Sequence, residues 1–219
     1  HVTFSPMVDL VRDARWGRCL ESTGEDPYMN SLYAAAMVKG FQKGLGEAKP
    51  AGMASCVKHF AAYGAPEGGR DYNTVDMSER RLRQEYLPSY KAGVDAGCEM
   101  IMTSFNTVDG IPSTGNKWLM NDVLREEWGF DGVVITDYAA IAELVLHGAA
   151  EDQKEAARLA MEAGVDIDMC TGCYANYLEE LLKEGKIDEG MLDKAVMRIL
   201  RLKNKLGLFE DPYRGADEA

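Results

Sequence analysis

Apolar runs in this chain repeatedly end on side chains that could do chemistry. "GVVITD" stops at Asp137, and "MASCVKHF" carries Lys58 and His59 near its close. "VTFSPMV" is followed by Asp9, Arg12, Asp13, Arg15 and Arg18. "CEMIMTSF" brings Thr103 and Ser104, with Asn106 just beyond, and "VDIDMC" contains Asp168. A carboxylate among cations favours its ionised form. Such an Asp is a candidate nucleophile for a sugar carbon, while Lys, His and Arg can hydrogen-bond vicinal hydroxyls. Plainer roles compete at each position. A strand-end Asp also serves as a helix cap or loop ligand, and His59 could be a satisfied core histidine. Asp9, Asp13 and Asp26 are expected to pair with nearby arginines and brace a loop. Of Asp166 and Asp168, one is expected to face inward.

These side chains meet only if the elements before them run side by side. Continuous apolar runs near 2–8, 53–60, 98–105, 132–137 and 165–170 alternate with helical patterns. That alternation predicts a parallel sheet covered by helices. Helices are expected near 27–43, with Pro27 in the first turn, from Ser78 to about Gly97, and over "KWLMNDVLREEWG". Others follow to about His147, over 152–163, over "NYLEELLKEG" and over 188–206. In the last of these Met191, Leu192, Ala195, Val196, Ile199, Leu202 and Leu206 form a stripe expected to face the core. An open doubly wound sheet loses support, because neither a GxGxxG turn nor a P-loop follows any strand. The remaining choice is a (β/α)8 barrel of the TIM type, with about five of its eight strand–helix units in this chain. Chemistry in such a barrel sits at the C-terminal ends of the strands, where the polar residues collect.

Composition narrows the field. The 219 residues carry a net charge of −12. That sign repels phosphate backbones and anionic surfaces, which argues against nucleic acid and membrane partners. No apolar run has the length of a membrane span. The chain opens on an apolar strand without an initiator Met, as expected for a piece of a longer polypeptide, so its start gives no cellular compartment. Three of the five cysteines read as small core residues, and "CTGC" at 170–173 has redox spacing without the context that would make it specific. With histidine only at 1, 59 and 147, that pair lacks two further ligands for a metal.

The ordered set "SPMVDLVRDARWGRCLESTGEDP", "CVKHFAAYG", "NTVDMSERRLRQEYLPSYKAGVDAG" and "GFDGVVITDYAAI" closely resembles the catalytic barrel of glycoside hydrolase family 3, the β-glucosidase and β-xylosidase family. The resemblance runs through "LKNKLGLFEDPY", which looks like that barrel's last helix and exit. It implies a barrel portion over 1–210 and an exit linker over 211–219 toward a second domain. It implies a retaining exo-β-glycosidase with Asp137 as nucleophile and a covalent glycosyl-aspartate intermediate. Lys58, His59 and Arg18 would bind the sugar, and Met102 of the third run joins this substrate-contacting set. The resemblance implies no metal or organic cofactor.

Departures from the family pattern qualify those implications. Family barrels usually carry three more strand–helix units before the segment matched here, among them an Asp that grips the sugar's outer hydroxyls. The acid/base of most β-glucosidase-type members lies in the second domain, so a complementary segment would have to supply it. Phe105 stands where "S-x-Y-N"-type segments place a Tyr, which removes a hydroxyl near the nucleophile. The loop after "KHF" has no histidine, and His147 comes too late, which disfavours the hexosaminidase subgroup. Two other readings stand beside the enzyme: a non-catalytic fragment that needs a partner segment, and a lyase or aldolase using Lys58 as a Schiff base.

Overall fold

The computed structural model describes residues 1–47 and 52–213, so the 214–219 part of the expected exit linker lies outside the described residues. Four parallel strands form the sheet, in the order β1 (Val2–Thr3), β2 (Ala54–Phe60), β3 (Met100–Thr103) and β6 (Val133–Ile135). A hairpin of β4 (Thr107–Val108) and β5 (Ile111–Pro112) follows β3. Strand order equals chain order, as successive strand–helix units of a barrel require.

Both faces of the sheet are apolar, which is why the strands read as continuous runs rather than alternating ones. Val57, Ile101 and Val134 join the larger core cluster with helical residues such as Ala34, Val38, Leu87, Tyr90 and Leu119. Their neighbours Ala54, Cys56, Met100, Met102, Val133 and Ile135 face the other way and pack with Leu202 and Leu206.

Helix α1 (Pro27–Phe41) starts at Asp26, whose carboxylate accepts the Met29 N–H at 2.8 Å, with Pro27 following. Ser78 caps α2 (Glu79–Arg81), which continues as a π-helical turn (Leu82–Tyr86) into α3 (Leu87–Asp95). The expected helix after the hairpin is wound as a π-helix, Trp118–Glu127. Then come α4 (Ala140–Leu146), α5 (Gln153–Ala163), α6 (Cys173–Lys183) and α7 (Glu189–Lys205). Asp152 and Asp188 cap α5 and α7 through the N–H groups of Glu155 and Met191.

Three expectations need correction. The first run makes only a two-residue strand plus a bridge from Met7 to Lys58, because Pro6 cannot donate to the ladder. The fifth run pairs through a single bridge, Ile135 with Ile167. There the Asp166 carboxylate takes the Val134 N–H at 2.8 Å, so a side chain stands in for part of the ladder. In α7 the stripe does not all face the core: Val196 is exposed, while Ala195, Leu202 and Leu206 are buried.

Candidate active site

Strand β2 delivers two of the site residues. Its register against β3 shifts between Val57 and Phe60, and Lys58 and His59 fall in that irregularity. The Lys58–His59 and Phe60–Ala61 peptide bonds are both cis. His59 is buried, and Lys58 is half-buried, its ammonium without a hydrogen-bond partner among the described residues.

Beside His59 lies Asp9, just past the first run. Its carboxylate is fully buried, and Oδ2 accepts the His59 backbone N–H at 3.0 Å and lies 2.8 Å from Nδ1 of the ring. The hydroxyl of Tyr90, on α3, donates to Oδ1 of the same carboxylate and accepts the Ala62 N–H at 3.2 Å. Burial and the adjacent Asp9 push the Tyr90 phenol well above its usual range, so it remains a donor. Asp9 therefore pairs with an imidazole and a phenol rather than with an arginine. Of the three expected loop braces only Asp13 takes one, meeting Arg15 in a forked pair. Asp26 is a cap.

Asp137 follows β6 and is 15% exposed. Its Oδ1 accepts the Tyr138 N–H at 2.7 Å, and its Oδ2 lies 3.4 Å from His59 Nε2. The backbone around it is fixed by Thr136, which donates its N–H to the Ile167 carbonyl and whose hydroxyl accepts the Met169 N–H at 2.8 Å. Ala139 then turns at a φ of 58° and starts α4. The two carboxylates thus bracket one imidazole, Asp9 from beneath and Asp137 at the rim.

Arg18 reaches the same place from the long loop. Its guanidinium makes a forked pair with Glu21, at 2.6 and 2.8 Å, and lies 5.7 Å from the Tyr63 ring centre. Glu21 holds the Arg18 pKa above its usual value, and Arg18 in turn lowers that of Glu21. The Tyr63 ring sits 5.1 Å from the His59 ring and edge-on to Trp16, also at 5.1 Å. Phe105 and Tyr72 extend this aromatic wall, with their ring centres 4.4 Å apart. The indole N–H of Trp16 donates to Asp71 at 2.8 Å, which ties the Gly-rich loop to the first one.

The structure brings Asp137, His59, Asp9 and Arg18 around one rim. Met102 lies a layer lower, in register with Ile135 and buried among apolar neighbours. Thr103, Ser104 and Asn106 are buried and engaged internally, with Thr114, with Ser113, and with the Ala61 carbonyl. Sequence reasoning missed Tyr63, Tyr72, Tyr90, Trp16 and Glu21. Tyr63, four residues after His59, and Trp16 inside "RWGR" lay within segments already singled out. Tyr90 had no local signal, because its role depends on how α3 packs. Beside Asp137, a shallow hollow of about 350 Å³ is lined by Tyr72, Glu143, Leu146 and His147. Burial and the charge of Asp137 raise the Glu143 pKa to about 7.

Among the cysteines, Cys56, Cys98 and Cys173 are buried and Cys19 and Cys170 exposed, all as free thiols. The described residues contain no group of three or more His, Cys, Asp or Glu side chains able to hold a metal ion, and no helix long and apolar enough to cross a membrane.

A parallel strand–helix fold with its carboxylates, imidazole and guanidinium gathered at the C-terminal strand ends is a segment of a TIM-barrel-type protein. Residues 1–202 match the glycosyl hydrolase family 3 N-terminal domain, and the chain belongs to that family. It is 49% identical over 213 residues to a periplasmic beta-glucosidase of Salmonella typhimurium, covering 97% of this chain and 28% of the relative. It is 39% identical over 221 residues to a beta-xylosidase of Formosa agariphila, covering 94% of this chain and 30% of the relative. The beta-glucosidase from Listeria innocua in complex with glucose superposes with a TM-score of 0.97 at 60% identity, over 99% of this chain and 30% of that one. The chain spans under a third of the length of these relatives.

Proposed function

We propose that the chain is the barrel portion of a retaining exo-β-glycosidase of β-glucosidase or β-xylosidase type, acting on terminal non-reducing β-linked sugars. The observation that carries this reading is the pairing of Asp137 with His59 at the strand-end rim, 3.4 Å apart, with Arg18 beside the same aromatic wall. An Asp137 carboxylate oxygen attacks the anomeric carbon while the bond to the leaving oxygen breaks. A general acid protonates that oxygen, and water then cleaves the glycosyl-aspartate ester. Lys58 and Arg18 donate to the sugar's hydroxyls, His59 meets one through Nε2, and Met102 contributes from the layer below. The aromatic wall supplies an apolar surface for the C–H face of the ring. Treatment with a 2-fluoro glycoside is expected to label Asp137; stable labelling of another residue overturns the assignment.

A second reading concerns the chain by itself. Among the described residues strand β1 pairs only with β2, leaving its outer edge open, and Val2, Phe4, Tyr28, Leu32 and Tyr33 are exposed. An open edge and apolar faces of this kind call for covering elements. We infer that further strand–helix units and an acid/base from a second domain or complementary chain complete the site. A positioned acid contributes roughly 10² to 10⁴ in rate. The 219 residues alone should therefore turn over an aryl β-glucoside far more slowly than the same residues within a relative-length polypeptide. Equal rates remove this reading.

A further inference from the structure

The buried carboxylate of Asp9 does more than its place in the fold requires. The backbone at this point is already pinned without it. Asn30 on α1 and Ser89 on α3 both donate to the Val8 carbonyl, at 2.9 and 2.8 Å, and the Ser22 hydroxyl donates to the Asp9 carbonyl at 2.7 Å. Burying a charge is costly unless every lone pair is met, so a neutral side chain would brace this bend at lower cost. No Lys or Arg hydrogen-bonds to this carboxylate among the described residues. Its donors are the two N–H groups of His59 and the hydroxyl of Tyr90.

We propose that Asp9, held by Tyr90, is a positioning residue that fixes the His59 ring and presents Nε2 to Asp137. This rests on Asp137 being the nucleophile. An ionised carboxylate only accepts, so Oδ2 at 2.8 Å requires the hydrogen on Nδ1. The ring is thereby held in one orientation, with Nε2 3.4 Å from Asp137 Oδ2. The Tyr63 ring packs against the imidazole edge at 5.1 Å and limits its tilt. When a sugar arrives, the same Nε2 meets it already oriented, and Asp137 keeps its line to the anomeric carbon. An amide at position 9 removes the restriction, because it can accept through its oxygen or donate through its nitrogen. With donation, Nδ1 becomes an acceptor and the hydrogen shifts to Nε2.

The test uses the longest native polypeptide carrying these residues, with the Asp9→Asn variant. Two quantities are measured: nitrogen-15 shifts of the His59 ring, and the rate at which a saturating 2-fluoro glycoside labels Asp137. The native ring is expected to show Nδ1 in its N–H form, and the variant a population without that hydrogen. Labelling is expected to slow by about 10- to 100-fold, the scale seen when an outer partner of a metal-bound imidazole is removed. A variant that labels at the native rate under saturation overturns the proposal. If Asp9→Asn does not fold, Tyr90→Phe decides. It keeps carboxylate and ring but removes the hydroxyl that donates to Asp9 and accepts the Ala62 N–H, and should slow labelling by about 3- to 10-fold; a native rate there also overturns the proposal. If the native protein is labelled elsewhere, the nucleophile reading itself fails, an outcome distinct from slow or normal labelling of Asp137.

Discussion

Two buried aspartates stand at opposite ends of the same sheet, and their partners differ in kind. Asp9, at the C-terminal rim, is met by an imidazole, a phenol and a backbone N–H. Asp166, at the N-terminal end, is met by two guanidinium groups, Arg125 at 2.8 Å and Arg198 at 3.0 Å, and by the Val134 N–H. Arg125 also donates to the carbonyls of Phe130, Gly132 and Gly164, so it ties together the two segments that lead into β6 and the fifth run. Burial raises the Asp166 pKa and lowers that of Arg125, and their mutual attraction opposes both shifts. Charge at the lower end is paired in place, with Asp131 also 3.5 Å from Arg198, and the Asp166–Arg125 pair is nearly sealed. At the upper end it passes through an imidazole to a carboxylate open to solvent. Two arginines beside a carboxylate saturate it, whereas a histidine satisfies one side and leaves a second nitrogen available. In a barrel the first arrangement suits stability and the second suits chemistry.

The widest separation should come from Asp137→Ala against Asp166→Ala. In the native polypeptide Asp137→Ala is expected to lower turnover by on the order of 10⁴-fold or more, with unfolding by urea unchanged. Asp166→Ala should do the reverse, losing about 3–5 kcal/mol of stability because the nearly buried Arg125 guanidinium loses its carboxylate and Arg198 keeps only Asp131. Its folded fraction, counted by active-site titration, should keep near-native turnover per site. A folded but inactive Asp166→Ala protein would erase the contrast between the two ends.

A smaller effect sharpens the lower end. Replacing Asp166, Arg125 and Arg198 together by Leu, Met and Met should restore only part of what the single change loses: an apolar cluster of similar volume can match a buried ion network, but the Val134 N–H and the carbonyls that Arg125 served lose their partners. Urea midpoints of the single and triple variants check this. At the upper end, Tyr90→Phe strands the Ala62 N–H and one Asp9 oxygen and should cost about 1–3 kcal/mol in the same measurement.

The smallest effect is pH-dependent. The folded pKa of Glu143, about 7, stands above its ordinary 4.5. Between those values the folded state holds a proton that the unfolded state has released, so this group's contribution to stability falls as pH rises through the window. Glu143→Gln removes that fall. The Tm advantage of the variant should therefore grow from about pH 4.5 to about pH 7 and then level off. An advantage independent of pH would mean that Asp137 and burial do not act on Glu143 in this way.

Much of the fold was legible because its signals are local. Asp26–Pro27 and Ser78 mark helix starts with their own side chains, and the helices over 153–163 and 189–205 fall where their apolar periods place them. The short first and fifth strands were not legible, because Pro6 and the Asp166 carboxylate interrupt ladders whose partners are remote in sequence. Phe105 shows the same limit within the site. From sequence it was a missing hydroxyl, whereas in the fold it packs against Tyr72 and Tyr63 and completes the wall.

By itself, the sequence determined that apolar runs are buried on both faces and that Asp137, Lys58, His59 and Arg18 follow them, which places these residues at the rim of a parallel sheet. Periodicity and strand direction suffice for that. The tertiary structure decided their partners. Asp9 meets His59 across 50 residues and Tyr90 across 81, and Asp166 meets Arg125 across 41. A carboxylate near both an arginine loop and a buried imidazole takes whichever donor the packing leaves within 3 Å. That choice depends on how α1 and α3 close over the first bend, which no local pattern encodes.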